Sequence, residues 1–370
     1  MRIALDATPL LGPVTGVGAF TRGALRALAA RDDVDVVTYA LSWRGRRRLP
    51  DMVPPGVSVT TRPMPAGMLL RAWERAPLPP AEAFVGRVDV VHGTNYVVPP
   101  ARRAATVVSV YDLTAVRFPE LCAPSSLRYP GLVRAAVARG ALVHTMSASI
   151  AHEVVDLLAV PRERVHVVAS GVDVGANGDA AKGRALAGSD RYVLSLGTVE
   201  PRKALPDLVS AFDAIATMRP DVDLVIAGPD GWGVDELEAA IRNARHGDRV
   251  RRLGWVGDHD RADLLAGAAL LAVPSRYEGF GYPPLEAMAA GTPVVSTRAG
   301  SLAEVVDGGG LLVDAGDVDG LAQAIEAVLG DPALAASLVE RGRAQVARFR
   351  WDDGATGLVA LYEAAIEGRR

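Results

Sequence analysis

Two successive series of short apolar runs alternating with helical patterns constrain this chain more than any other feature. The first series runs Arg2 to Leu5, a helix from about Phe20 to Ala30, Val34 to Tyr39, Val88 to His92, Thr106 to Val110, a helix over Leu127 to Arg139, Leu142 to Met146, and Val165 to Val168. Such alternation predicts a parallel sheet covered on both faces, an α/β doubly wound domain. Val174 to Asp190, rich in Ala and Gly, has no period and reads as a linker. A second series follows with strand patterns at Tyr192 to Leu196, Leu224 to Ala227, Val250 to Trp255, Leu270 to Val273, Val294 to Ser296 and Leu311 to Val313. Helical patterns at Leu205 to Met218, Val234 to Ala244 and Arg261 to Ala266 lie between them. Two Rossmann-like domains in tandem are expected, and 370 residues give each an ample core.

Composition narrows the class. Hydrophobic residues at 49% and charged ones at 22% describe a globular chain, and a net charge of -3 argues against a nucleic-acid partner. Cys122 is the only cysteine, which excludes a disulfide framework and a cysteine zinc cluster and agrees with a reducing cytoplasm. The strand pattern begins at Met1-Arg-Ile-Ala-Leu-Asp6, so no signal segment is expected, and no apolar run approaches the roughly 20 residues of a membrane span.

The densest chemistry lies in Ser275-Arg-Tyr-Glu-Gly-Phe-Gly-Tyr-Pro-Pro-Leu-Glu-Ala-Met-Ala-Ala-Gly-Thr-Pro-Val-Val. Pro274 stops a buried strand, Gly279 and Gly281 allow close backbone approach or positive φ, and Pro283 and Pro284 start a short helix that Gly291 and Pro293 end. A helix N-terminus at such a loop suits a phosphate. Glu286, expected in the first helical turn, can accept two hydrogen bonds from a diol such as a ribose, and Glu278 can take sugar hydroxyls. Glu in a first turn is also favoured by the helix dipole alone.

That string resembles the signature of glycosyltransferase family 4, retaining nucleotide-sugar transferases of the GT-B fold, in which two Rossmann-like domains face across a cleft. The resemblance spans nearly the whole chain and is strongest from Gly197 to Val313. It implies an N-terminal acceptor-side domain over 1–173, a donor-binding domain over 187–351, and a terminal helix over 352–370 that packs back on the first domain. It also implies that Glu286 holds the ribose hydroxyls, that Glu278 and the amides of Gly279, Phe280 and Gly281 hold the donor sugar, and that the neighbouring Leu285 belongs to the donor site.

Other motifs fall at strand ends. Gly16-Val-Gly18 before a helix offers backbone approach to a diphosphate, although a third glycine is missing, with Thr21 in its place. Gly197-Thr-Val-Glu-Pro-Arg202-Lys203 brings two cations to a strand end, and Lys203 is one of only two lysines. The family has a similar Pro-Arg-Lys, while Thr198 stands where many relatives have arginine. Trp255-Val256-Gly-Asp258 resembles the stretch that edges the base, with Trp255 equally readable as core.

His92-Gly-Thr-Asn95 and Tyr111-Asp112 end two strands of the first domain and are expected on the acceptor side. The resemblance puts Tyr111 where the family usually has histidine. A phenol with a reference pKa of about 10 is a poor base, so Asp112 becomes the better group to position or deprotonate an acceptor, with His92 second. The Asp-Val-Asp triplets ending at Asp35, Asp223 and Asp319 read as caps or solvated acids, so no metal or other cofactor is expected.

The resulting expectation is a metal-independent retaining transferase moving a hexose, mannose from GDP-mannose first, to a hydroxyl of a glycan, glycolipid or small molecule. Glu278 would orient the sugar. A sugar-nucleotide-binding protein without efficient transfer and a two-carboxylate glycoside hydrolase are the rivals. Trp43 to Arg48 and Met68 to Arg75 mix basic and apolar side chains, which leaves a peripheral contact with the cytoplasmic membrane face open.

Overall fold

The computed structural model describes residues 1–12, 16–173 and 178–369. They form two compact units, Met1–Gly171 with Phe349–Arg370, and Val172–Arg348. In the first unit β1 (Arg2–Asp6), β2 (Asp35–Tyr39), β3 (Ser58–Val59), β4 (Val90–Gly93), β5 (Ala105–Ser109), β6 (Leu142–Thr145) and β7 (Val165–Val167) make one sheet. Its order is β3-β2-β1-β4-β5-β6-β7 and its described pairings are parallel. β4 and β5 are buried along their whole length, as strands covered on both faces must be. The chain winds outward from β1 to β3 and then returns to the other side of β1 at β4, so the order reverses between β1 and β4.

The second unit repeats the design with β8 (Tyr192–Leu196), β9 (Asp223–Ala227), β10 (Val250–Gly254), β11 (Leu270–Val273), β12 (Val294–Thr297) and β13 (Leu311–Val313). The order β10-β9-β8-β11-β12-β13 reverses between β8 and β11. Val193, Leu224, Leu270 and Val295 from four strands pack with Leu208, Phe212 and Ile325 from helices as one apolar core.

The helix Trp351–Glu367 packs within the first unit. Trp351 lies over Gly23 of the helix Gly16–Ala29, where a Cβ would come within 1.9 Å of the indole, so only glycine fits beneath the ring. Further along, Tyr362 reaches the middle of the sheet at His92.

Two local expectations change. The stretch read as a linker contains the helix Ala180–Ala187, capped by Asp179 at its start and by Gly188 in the left-handed conformation at its end; residues 174–177 of that stretch lie outside the described residues. It shows no apolar period because it packs through small residues. A Cβ on Gly183 would lie 1.9 Å from the carbonyl oxygen of Asp263, in the helix Asp258–Gly267. The first helix also begins at Gly16 rather than near Phe20, so Gly16 and Gly18 are both inside its first turn.

Candidate active site

In an open parallel sheet the loops leaving the strands on either side of the order reversal diverge, and the crevice between them receives ligands. In the second unit those loops are Gly197–Lys203 after β8 and Pro274–Gly281 after β11, the two segments with the most chemistry in the sequence. They are tied together. The amide of Arg276 donates to the carbonyl of Arg202 at 2.7 Å, and Arg202 Nη1 donates to the carbonyl of Tyr277 at 3.2 Å.

Glu278 is 7% exposed and sits at the centre of a charge cluster. Its Oε2 accepts from Arg202 Nη1 at 3.0 Å, and its Oε1 accepts from Lys203 Nζ and, at 2.8 Å, from Ser275 Oγ. Arg202 also pairs with Glu200 at 2.7 Å. Burial pushes the Glu278 carboxyl up, but the charges of Lys203 and Arg202 and the hydrogen bonds of Lys203 and Ser275 outweigh it and hold the pKa down to about 2. These two cations suit a diphosphate by charge and geometry, but both are already engaged by carboxylates, so a diphosphate would meet a charge-balanced group.

The loop carrying Glu278 is fixed by a residue with a different expected role. Ser301-Leu-Ala-Glu304 has the spacing of a capping box, but the Ser301 hydroxyl makes no cap bond. It bonds the carbonyls of Phe280 at 2.8 Å and Glu278 at 3.1 Å, and its amide also donates to Glu278. Gly300, at φ +57, brings Ser301 this close; a Cβ there would lie 2.3 Å from the Glu278 carbonyl oxygen.

The next helix runs Tyr282–Ala290, with Gly281 at φ 103 as its cap. It starts earlier than expected, which has two consequences. Pro283 and Pro284 both fall in the first turn and carry no N–H, so this end offers fewer backbone donors than a plain helix start. Glu286 lies a full turn in, not in the first turn. Its neighbour Leu285 is fully buried.

Glu286 Oε1 is 3.2 Å from Arg261 Nη2, while Oε2 is buried without a hydrogen-bond partner. Burial raises the pKa of this carboxyl; Arg261 opposes the rise, and Asp258 and Asp173 add to it. Arg261 also approaches Asp258 at 3.5 Å, so one guanidinium joins the Trp255–Asp258 segment to Glu286. In that segment Trp255 is 65% exposed, not core, and Val256 is half-buried.

In the first unit the order reversal lies between β1 and β4. The hydroxyl of Thr94, after β4, donates to the carbonyl of Asp6, the last residue of β1, at 2.7 Å. Asp6 is 1% exposed, and its burial raises its pKa to about 6 against the hydrogen bonds of Thr8. Gly16 is exposed and Gly18 buried in the helix that follows; residues 13–15 lie outside the described residues. Asn95 is half-buried.

His92 is corrected from an acceptor-side group to a structural one. It is fully buried, with Nδ1 2.8 Å from Tyr362 Oη and Nε2 2.8 Å from Ser109 Oγ. Ser109 Oγ is in turn 2.8 Å from His144 Nδ1, and His144 Nε2 is 3.0 Å from the carbonyl of Val168. A carbonyl only accepts, so His144 donates through Nε2, and each later bond is then directed: Ser109 donates to His144, His92 to Ser109, and Tyr362 to His92. Both imidazoles are neutral in this arrangement. Burial holds His92 well below its usual range and His144 down to about 4.

Tyr111 is also built into the unit. It is 5% exposed, stands edge-on to Phe20 and Tyr96, and donates its hydroxyl to the Thr94 carbonyl at 2.6 Å. Asp112 is half-buried and accepts the Thr114 amide at 3.0 Å through Oδ1, the turn-capping contact open to any strand-end acid. The Asp112 amide donates to Tyr96 Oη at 3.0 Å. Tyr96 has φ 58, uncommon for an aromatic residue, and stacks on Tyr129. Nothing in the sequence marks Tyr96 as unusual.

The acidic triplets are occupied elsewhere. Asp33 pairs with Arg31, Asp35 with Arg2, Asp221 with Arg191 and Asp223 with Arg251, while Asp317 caps a helix. Among the described residues no three His, Cys, Asp or Glu side chains are grouped as a metal site would require.

Residues 14–175 match the family model "Glycosyltransferase Family 4", and residues 179–345 match "Glycosyl transferases group 1". The chain is 28% identical to O-antigen chain mannosyltransferase B of Escherichia coli, over 98% of this chain and 100% of that protein. It is 32% identical to the D-inositol 3-phosphate glycosyltransferase of Acidothermus cellulolyticus, over 100% of this chain and 90% of that one. Among solved structures, HepE of Anabaena in complex with UDP and glucose superposes with a TM-score of 0.75 at 20% identity, covering 98% of this chain and 100% of that one. Two doubly wound sheets, the strand-end loops of the second one and these matches over both halves lead to one conclusion: the chain belongs to glycosyltransferase family 4 and is a glycosyltransferase of the GT-B fold.

Proposed function

We propose that this glycosyltransferase is a metal-independent, anomer-retaining enzyme that moves mannose from GDP-mannose to a hydroxyl of a glycan or glycolipid. The observation that carries the donor site is Glu286: a carboxylate with one oxygen held by Arg261 and the other buried without a donor. The two hydroxyls of a ribose supply such donors, and the Trp255–Asp258 segment, joined to Glu286 through Arg261, is assigned to the base in this reading. Mannose is favoured by the resemblance over nearly the full length to an O-antigen mannosyltransferase. The UDP in the HepE complex makes UDP-glucose the next donor to test.

Glu278 is suited to orient the sugar rather than attack it. Its two oxygens are engaged by Arg202, Lys203 and Ser275, and with a pKa near 2 it stays ionised and weakly basic. This argues against its service as a nucleophile or as the acid of a hydrolase. Retention then proceeds on one face of the sugar, the departing phosphate oxygen helping to take the acceptor proton. Asp112 positions the acceptor hydroxyl in this reading, with Asn95, two residues past β4, on the loop whose Tyr96 hydroxyl accepts the Asp112 amide.

The test is thermal unfolding of the full chain with GDP, UDP, ADP and TDP and their sugars, with and without EDTA. Stabilisation by GDP and GDP-mannose, indifferent to EDTA and lost in Glu286→Ala, is expected. No response to any nucleotide would overturn the donor site. A response abolished by EDTA would mean that a divalent cation supplies the charge that the balanced cluster around Glu278 does not.

A further inference from the structure

Residues 43–75 of the first unit carry seven arginines, Arg44, Arg46, Arg47, Arg48, Arg62, Arg71 and Arg75, against two carboxylates, Asp51 and Glu74, in a chain whose net charge is -3. Glu74 is paired with Arg128 at 2.6 Å, and none of the seven lies within ion-pair distance of a carboxylate among the described residues. Two of them are anchored by backbone instead. Arg46 Nε donates to the carbonyl of Thr61 at 2.7 Å, which brings the Arg44–Arg48 turn beside Arg62, and Arg62 Nη1 donates to the carbonyl of Ala83 at 2.6 Å. The Arg46 guanidinium lies 5.5 Å over the Trp43 ring, yet that ring is 59% exposed.

The helix Ala66–Arg75 buries only part of its apolar residues. Leu69 and Trp73, one turn apart, are buried, whereas Met68 is 74% exposed and Arg71 and Arg75 face solvent.

We propose that Trp43, Arg44, Arg47, Arg48 and Arg62, with Met68 further along the same span, form a docking surface for an anionic lipid bilayer. Unpaired guanidinium groups complement lipid phosphates, and each cation near such a surface contributes about a fivefold gain in binding. The exposed apolar side chains decide between a bilayer and a soluble polyanion. A thioether gains nothing from an anionic polysaccharide, and although an indole can stack on sugar rings, a bilayer interface is the surface that accepts both side chains beside the cations. Docking requires neither nucleotide nor acceptor, so it stands or falls separately from the donor assignment.

Flotation of the full chain with vesicles tests it. Vesicles containing phosphatidylglycerol and phosphatidylcholine are expected to carry the protein, added salt to release it, and phosphatidylcholine alone to leave it behind. Replacing Arg44, Arg47 and Arg48 together with Gln is expected to weaken binding about a hundredfold, with an unchanged midpoint of thermal unfolding as proof of folding. Wild-type emission is expected to shift to the blue on anionic vesicles, and Trp43→Phe to remove that shift. Equal binding to neutral vesicles, or flotation of the triple variant like wild type, would overturn the proposal. So would retention on heparin without vesicle binding, which would assign the surface to a soluble polyanion.

Discussion

Replacing Glu278 with Gln removes the charge that balances Lys203 and Arg202 and keeps nearly the same volume. The magnitude follows from linkage. The carboxyl moves from an ordinary value of 4.5 to about 2 in the folded chain, and at 1.36 kcal/mol per unit this is about 3 kcal/mol of stability. Breaking a buried ion pair from one side independently costs about 3 to 5 kcal/mol, because the cations stay behind uncompensated. The sign is set by the depressed folded value: the contribution is full above pH 4.5 and is lost as pH falls from there through about 2. Gln does not titrate, so the difference between wild type and variant should narrow by up to about 1.4 kcal/mol per pH unit below 4.5. Urea unfolding of the full chain from neutral pH down to about pH 3.5, read through hydrogen exchange of β8 and β11 amides, isolates the second unit. A difference that stays constant across this range, or is absent at neutral pH, would refute the electrostatic account of the cluster.

Three further outcomes are expected. Arg261→Gln should weaken nucleotide binding about tenfold and move its loss on acidification to higher pH, because the Glu286 carboxyl, already raised by burial, loses its opposing charge; calorimetry across pH checks this, and an unchanged pH profile would leave Arg261 a purely structural role. Ser301→Ala should cost about 1 to 2 kcal/mol and lower kcat by loosening the Glu278–Phe280 loop, so unchanged turnover would sever that loop from catalysis. The first unit should lose stability as pH falls from about 6.5 toward 4, by up to about 1.4 kcal/mol per unit for each of His92 and His144, since both protonate in the unfolded chain but stay neutral when folded. Urea unfolding of wild type beside His144→Asn measures it, and equal pH slopes would contradict the neutral chain of hydrogen bonds.

The sheets were legible because their strands are buried on both faces and therefore continuously apolar. The site string from Ser275 to Val295 was legible as well, since its glycines and prolines punctuate the chain locally. What sequence could not deliver were choices made by partners distant along the chain. Ser301 has the spacing of a cap, yet two carbonyls more than twenty residues away take its hydroxyl. His92 ends a strand as a ligand-binding residue would, but Tyr362 covers it from far along the chain. The helix Ala180–Ala187 hid in an Ala- and Gly-rich run because small residues were selected for close approach to the helix Asp258–Gly267, which erases the apolar period. Arg261 carries no motif at all; its relevance appears only when Glu286 is found beside it.

The return of residues 349–370 to the first unit bears on how the chain matures during synthesis. When Gly171 has been made, the strands of that unit exist, but Trp351 is not yet there to cover Gly23, nor Tyr362 to end the directed bonds at His92. All of Val172–Arg348 must be translated first, roughly 10 to 40 s at ordinary elongation rates. The second unit, continuous in sequence, can close as soon as it has left the ribosome, so the part begun first is the part completed last. A nascent chain stalled before Trp351 should therefore present a protease with an open β4–β5 region beside a resistant second unit.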